Sequence, residues 1–148
     1  MTQPIKNASS VASLPRIFEA ITKTLVSHKA KHITYSYDNE RIVAIEFVID
    51  IDGMERPFKL PARIENVERI MYGKRFLSQT QKTQAYRTAW ANCRDWISAQ
   101  CAMIDTGMVK PEEIFLPYMV ADDGRTFYEV MTQQQFLLPS GKTHISEA

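Results

Sequence analysis

The sequence predicts an α+β domain: a three-stranded antiparallel meander packed against one long helix, with an N-terminal helix before it and a C-terminal hairpin after it. Three observations predict this. From Ser78 the chain reaches Gly107 with no proline or glycine between them, which is the longest helical pattern in the sequence. Val43, Ile45, Phe47, Ile49 and Ile51 alternate with more polar neighbours, as a half-buried strand requires. Asp52-Gly53, directly after that run, is a two-residue hairpin signal.

Taken in order, residues 1–12 read as a flexible N-terminus and 13–138 as one domain. Ser13-Leu14-Pro15 opens a helix, because proline's missing N–H costs nothing in a first turn. Leu14, Ile17, Phe18, Ile21 and Leu25 mark its buried face. His28, Lys29 and Lys31 follow, where cations favour the helix dipole.

The first strand is expected at about His32 to Tyr37. A three-residue loop at Asp38-Asn39-Glu40 would set Tyr35 opposite Val43 and Ile33 opposite Ile45, keeping the apolar residues on one face. Across the Asp52-Gly53 turn, Ile51 should face Met54, Ile49 face Arg56, Phe47 face Phe58 and Ile45 face Leu60. Glu46 then opposes Lys59. Pro57 and Pro61 fall on non-bonded positions of that register, so the third strand must be an edge and the second central.

Ile64 to Tyr72 reads as a short helix stopped by Gly73. Ser78 and Gln81 form a capping box for the long helix, which at ~1.5 Å per residue is ~40 Å long. Tyr86, Trp90, Cys93, Ile97 and Ile104, widened by Ala89, Trp96 and Cys101, form its core stripe, while Lys82, Gln84, Arg87, Asn92 and Arg94 lie opposite. Pro111 starts a helical turn, and Phe115-Leu116-Pro117 should pack on the core. Tyr118–Val120 and Thr126–Val130 flank Asp122-Asp123-Gly124 as the C-terminal hairpin. Residues 139–148 read as a flexible tail.

The formal net charge is +1, but it is unevenly spread. Residues 1–37 and 56–94 carry +4 and +7, whereas 38–55 and 95–148 each carry −5. Such segregation builds charged faces on a near-neutral protein. Cys93 and Cys101 would stand ~12 Å apart on one helix, beyond disulfide reach, and read as buried thiols of a reducing compartment. No secretory signal is evident and no stretch approaches the ~20 apolar residues of a membrane span, so a cytoplasmic location is expected. His28 and His32 are four apart, but no Cys or carboxylate cluster completes a metal site. Asp50-x-Asp52-Gly53 lacks the later ligands of a calcium loop. Phosphate loops, nucleophile elbows and zinc motifs are absent, and no cofactor is expected.

The segment Lys74 to Arg94 holds five basic residues and no acidic one, with Gln, Ser, Thr and Asn side chains between them. Cations neutralise phosphates, polar groups bond sugar–phosphate oxygens and aromatic rings stack on unpaired bases. The expectation is a non-catalytic binder of nucleic acid, single-stranded DNA first, that uses Lys74, Arg75, Phe76, Lys82, Arg87 and Arg94.

The order helix, three-stranded meander, long helix over residues 13–107 also resembles the β-β-β-α core of the single-strand DNA annealing proteins of phages and their relatives. The resemblance is one of topology. It implies a subunit that assembles into a homo-oligomer with single-stranded DNA in a basic groove, in phage or mobile-element recombination. The rival class is a protein-interaction module or small inhibitor, for which the acidic segments and an apolar patch of Trp96, Met103 and Met108 would be the working surface.

Overall fold

The computed structural model describes residues 5–73 and 75–133. The fold is α+β. Helix α1 (Leu14–Ser27) precedes strands β1 (Lys31–Asp38), β2 (Arg41–Ile51) and β3 (Met54–Pro61). Helices α2 (Ile64–Tyr72), α3 (Gln79–Asp105) and α4 (Pro111–Phe115) follow, then a 3-10 turn at Leu116–Tyr118 and helix α5 (Phe127–Gln133). The sheet is an antiparallel meander in the order β1-β2-β3, with β2 central as expected.

The core lies between one sheet face and the pair α1 and α3. Ile17, Ile21 and Leu25 meet Ile45, Phe47, Ile49, Phe58, Trp90 and Ile97 there. Phe18 joins the two helices to the sheet, with its ring 5.1 Å from Trp90 and 5.7 Å from Tyr35. Phe47, Phe58, Phe115 and Trp96 continue the core as a chain of aromatic rings under α4.

The β2–β3 hairpin has the expected register in full: Ile51 pairs with Met54, Ile49 with Arg56, Phe47 with Phe58, Ile45 with Leu60 and Glu46 with Lys59. Asp52 and Gly53 both take positive φ, 53° and 84°, as the primed turn that matches strand twist demands. Ser78 and Gln81 cap α3 reciprocally, at 3.1 and 3.0 Å. Gly73 ends α2 in the left-handed conformation, φ 60°.

The β1–β2 hairpin departs from expectation. Its loop has two residues, Asn39 and Glu40, both at positive φ, and Asp38 pairs with Arg41. A two-residue loop alone would turn the apolar side chains outward. A β-bulge at Val43 corrects this: Tyr37 pairs with Ile42 but Ser36 with Ala44, so that Tyr35 meets Ile45. One inserted residue restores the phase that a longer loop would otherwise have supplied.

The C-terminal hairpin shrinks to a single bridge, Val120 to Thr126, around a turn closed by the Gly124 amide on the Ala121 carbonyl at 2.9 Å. Phe127–Gln133 is helical, not extended. Thr126 caps it, accepting the Glu129 amide at 3.3 Å and donating to the Glu129 carboxylate at 3.1 Å. Met119 bridges Phe58, and the Val120 amide donates to the Pro57 carbonyl at 2.9 Å, so the outer edge of β3 is partly covered.

The N-terminus also corrects the sequence reading. Residues 5–12 are docked along α3 through polar contacts. The Gln84 amide donates to the carbonyls of Ala8 and Ser10 at 2.9 and 3.1 Å. The Thr88 hydroxyl, wholly buried, lies within bonding distance of the carbonyls of Asn7 and Gln84. The Asn7 side chain donates to Asn92 and Asp95 at 2.8 and 2.9 Å. This strap explains why Ala85, Thr88 and Ala91 are completely buried although they lie off the predicted core stripe. The expected flexible tail at 139–148 lies outside the described residues.

Thr88→Val keeps the shape of the side chain and removes the hydroxyl that bonds the strap. Urea unfolding should show a loss of about 1–3 kcal/mol, the usual cost of leaving a buried carbonyl unsatisfied. Undiminished stability would mean that the strap contributes nothing.

Candidate nucleic-acid interface

A groove of about 880 Å³ opens between the β1–β2 turn, α2, the 75–77 loop and the start of α3. That size falls within the roughly 300–1,000 Å³ common for ligand sites. The α3 wall presents Gln79, Lys82, Thr83 and Tyr86, which helical spacing places on one face. The loop supplies Arg75, Phe76 and Leu77, and the opposite wall carries Glu40, Arg41, Glu65, Glu68 and Arg69.

Tyr86 sits in the groove because its hydroxyl is tied to the sheet, accepting the Ile42 amide at 2.8 Å. One turn further along α3, the Trp90 indole N–H donates to the Ile42 carbonyl at 2.8 Å. Burial raises the Tyr86 phenol above its ordinary pKa. The Ile42 amide and Arg41 oppose that rise, while Tyr37 adds to it. The phenol therefore stays protonated, and its hydrogen has no acceptor among the described residues.

Three of the sequence-derived residues meet here. Arg75, Phe76 and Lys82 all line the groove. The Phe76 ring is 83% exposed, and the Arg75 guanidinium stands 5.6 Å from its centre. Neither Arg75 nor Lys82 is ion-paired among the described residues. Lys74 lies outside the described residues.

Arg87 and Arg94 do not line the groove. Both are half-buried on the flank of α3 that holds the strap. Arg87 donates to the Gln84 side-chain oxygen Oε1 at 2.6 Å, and Arg94 pairs with Asp95 at 3.0 Å. The single face expected for all these cations is thus divided, because the polar stripe Gln84, Thr88, Asn92 and Asp95 binds the chain's own N-terminal segment. Burial pushes the Asp95 carboxyl upward. Bonds from Asn7 and Arg94 and the charges of Arg94 and Lys6 outweigh that and hold it below its ordinary value.

Sequence reasoning missed Arg41, Arg69 and the acidic wall. Arg41 bridges to Glu68 at 3.6 Å and joins the β1–β2 turn to α2. Among the described residues the groove holds four cations and three carboxylates: Arg75 and Lys82 on one side, and Arg41 and Arg69 with all three carboxylates on the other, so its charge is nearly balanced overall. The only available signal was the i, i+3 pair Glu65 and Glu68, which also suits an ordinary helix start.

No family model, curated protein or solved structure matches this chain.

The remaining candidates have structural places. His28 bonds Asp105 at 2.8 Å and the Thr24 carbonyl at 2.7 Å, while His32 is exposed at φ 52°. Burial pushes the Cys93 and Cys101 thiols up to about 11, with Asp105 adding to the rise at Cys101. Trp96 packs edge-on against Phe115 and Tyr118, each 5.9 Å away, which removes it from the apolar patch expected with Met103 and Met108. No helix among the described residues is long and apolar enough to cross a membrane.

Asp95 gives a pH dependence. Its folded carboxyl titrates below the ordinary 3.8, so its contribution is complete above that pH and fades as acid protonates it in the folded state. Between pH 6 and pH 2.5 the native protein should lose more stability than Asp95→Asn, as followed by unfolding at each pH. Parallel pH profiles for the two proteins would contradict the assignment.

Proposed function

We propose that this chain is a non-catalytic cytoplasmic protein that binds single-stranded nucleic acid along the groove between α2 and α3. The observation that carries the reading is the Arg75–Phe76 pair at the groove rim, a nearly fully exposed ring beside a guanidinium, with Lys82 on the adjoining α3 wall. An exposed aromatic ring offers a stacking platform, and every unpaired base has a face to place on it. Arg75 and Lys82 supply charge for the phosphates on either side, and the Tyr86 hydroxyl offers a hydrogen to an acceptor on the ligand.

The topological resemblance to single-strand annealing proteins implies the same class of ligand, single-stranded DNA in a basic groove, although here only the loop and α3 side of the groove is basic. Self-assembly and recombination belong to the same proposal and rest on that resemblance. The displacement of Arg87 and Arg94 from the site narrows the expected phosphate contacts to Arg75 and Lys82. A binder with so few contacts should be weak and only moderately sensitive to salt. For single strands the affinity falls with a slope of about 0.7 log unit per phosphate neutralised.

Fluorescence anisotropy with a labelled single-stranded oligonucleotide tests the proposal. Dissociation constants of roughly 1–100 µM at low salt are expected, with a log–log salt slope of about −1.4 for two contacts. Arg75→Glu with Lys82→Glu should weaken binding and flatten that slope. Phe76→Ala should weaken it about tenfold with the slope unchanged, because stacking is not ionic. No binding at tens of micromolar protein would overturn the proposal, as would binding indifferent to all three substitutions.

A further inference from the structure

The walls of the groove differ in charge, and a nucleic acid has edges that differ in the same way. Arg75 and Lys82 stand on the loop and α3 side, whereas Glu40 and Glu65 stand on the side formed by the β1–β2 turn and α2. Both carboxylates are exposed, and neither has an ion-pair partner among the described residues. Of the nearby cations, Arg41 is paired with Glu68 at 3.6 Å, whereas Arg69 donates to the neutral Asn66 side chain at 3.2 Å and keeps its charge, so this side carries three carboxylates against two cations.

Like-charge repulsion keeps phosphates away from Glu40 and Glu65, so the backbone must run along the Arg75 and Lys82 side. A base stacked on Phe76 then points its hydrogen-bonding edge across the groove toward the carboxylates. A carboxylate accepts and cannot donate. Cytosine and adenine present an exocyclic amino group to it, and guanine presents an amino group beside a ring N–H. Thymine and uracil present two carbonyl oxygens flanking one N–H, and those oxygens repel a carboxylate.

We infer that the acidic wall makes this a base-selective groove, in which Glu40 and Glu65 favour bases bearing an exocyclic amino group and disfavour thymine and uracil. The inference rests on the nucleic-acid reading of the same groove. It assigns a specificity role to two residues that would otherwise only weaken phosphate binding.

The test compares labelled oligo(dC) and oligo(dT) of equal length, at one salt concentration, by anisotropy. The two homopolymers share backbone and ring size, so a difference reports the base edge. Oligo(dC) should bind at least about fivefold more tightly. In a Glu40→Gln, Glu65→Gln double variant, oligo(dT) binding should strengthen and the ratio fall to within about twofold, because an amide can donate to the thymine carbonyl. Both positions are on the surface, and circular dichroism checks that the fold is kept. Equal affinity for the two oligonucleotides overturns the inference and leaves the proposed function standing, as does a preference that survives the double substitution. Failure of both oligonucleotides to bind overturns the proposed function and this inference together.

Discussion

The structure depends on how the peptide group of Ile42 is satisfied. β3 ends at Pro61, opposite Ala44, so the first stretch of β2, before Ala44, has no strand neighbour on that side. The Val43 carbonyl is taken by the Ala62 amide at 2.8 Å. The amide and carbonyl of Ile42 would otherwise be buried with no partner, which costs far more than an ordinary hydrogen bond returns. Tyr86 and Trp90, four residues apart on α3, take one each. Two side chains of one helix thus complete a strand that the sheet leaves unfinished. This fixes α3 lengthwise over the core and holds Tyr86 at the floor of the groove.

α3 therefore serves three neighbours. One face packs on the sheet through Trp90, Ile97 and Cys101. A second, polar stripe grips the N-terminal strap, where small residues let backbone approach backbone. The start of the helix faces the groove. A helix this long and this poor in large apolar residues would not be stable alone, so its stability comes from these contacts. The division also explains why the basic segment does not act as one surface: helical geometry sends Lys82 toward the groove and Arg87 and Arg94 toward the strap.

Much of the fold was legible because its signals are local. Ser78 with Gln81, Gly73 after α2 and Asp52-Gly53 each determine a structure within a few residues, and all three form as read. Long-range features were not legible in the same way. The contacts of Asn7 with Asn92 and Asp95 span most of the chain, and Gln84, Thr88 and Asn92 look like any solvated helix face until a partner lies on them. The bulge at Val43 leaves no compositional trace, since the same apolar residues suit either loop length. Thr126 and Glu129 were readable as a capping box, yet the Asp122-Asp123-Gly124 turn beside them favoured a hairpin. At the site, the exposed loop residues Arg75 and Phe76 could be picked out from a charge run interrupted by an aromatic. The opposing wall could not, because α2 and the β1–β2 turn meet only in three dimensions.

The bulge at Val43 also separates two things that share one hairpin. Below Ala44 the ladder is held by core packing against Ile45 and Phe47, while above it the turn is free to be aimed. The extra residue directs the tip so that Arg41 reaches Glu68 and Glu40 stands on the rim. Because tip length and bulge set the phase together, a one-residue insertion or deletion at the tip would have to be matched by loss or gain of a bulge for the apolar face of β1 to stay inward. The rim of the cleft and the packing of the domain are thus tuned by one and the same residue count.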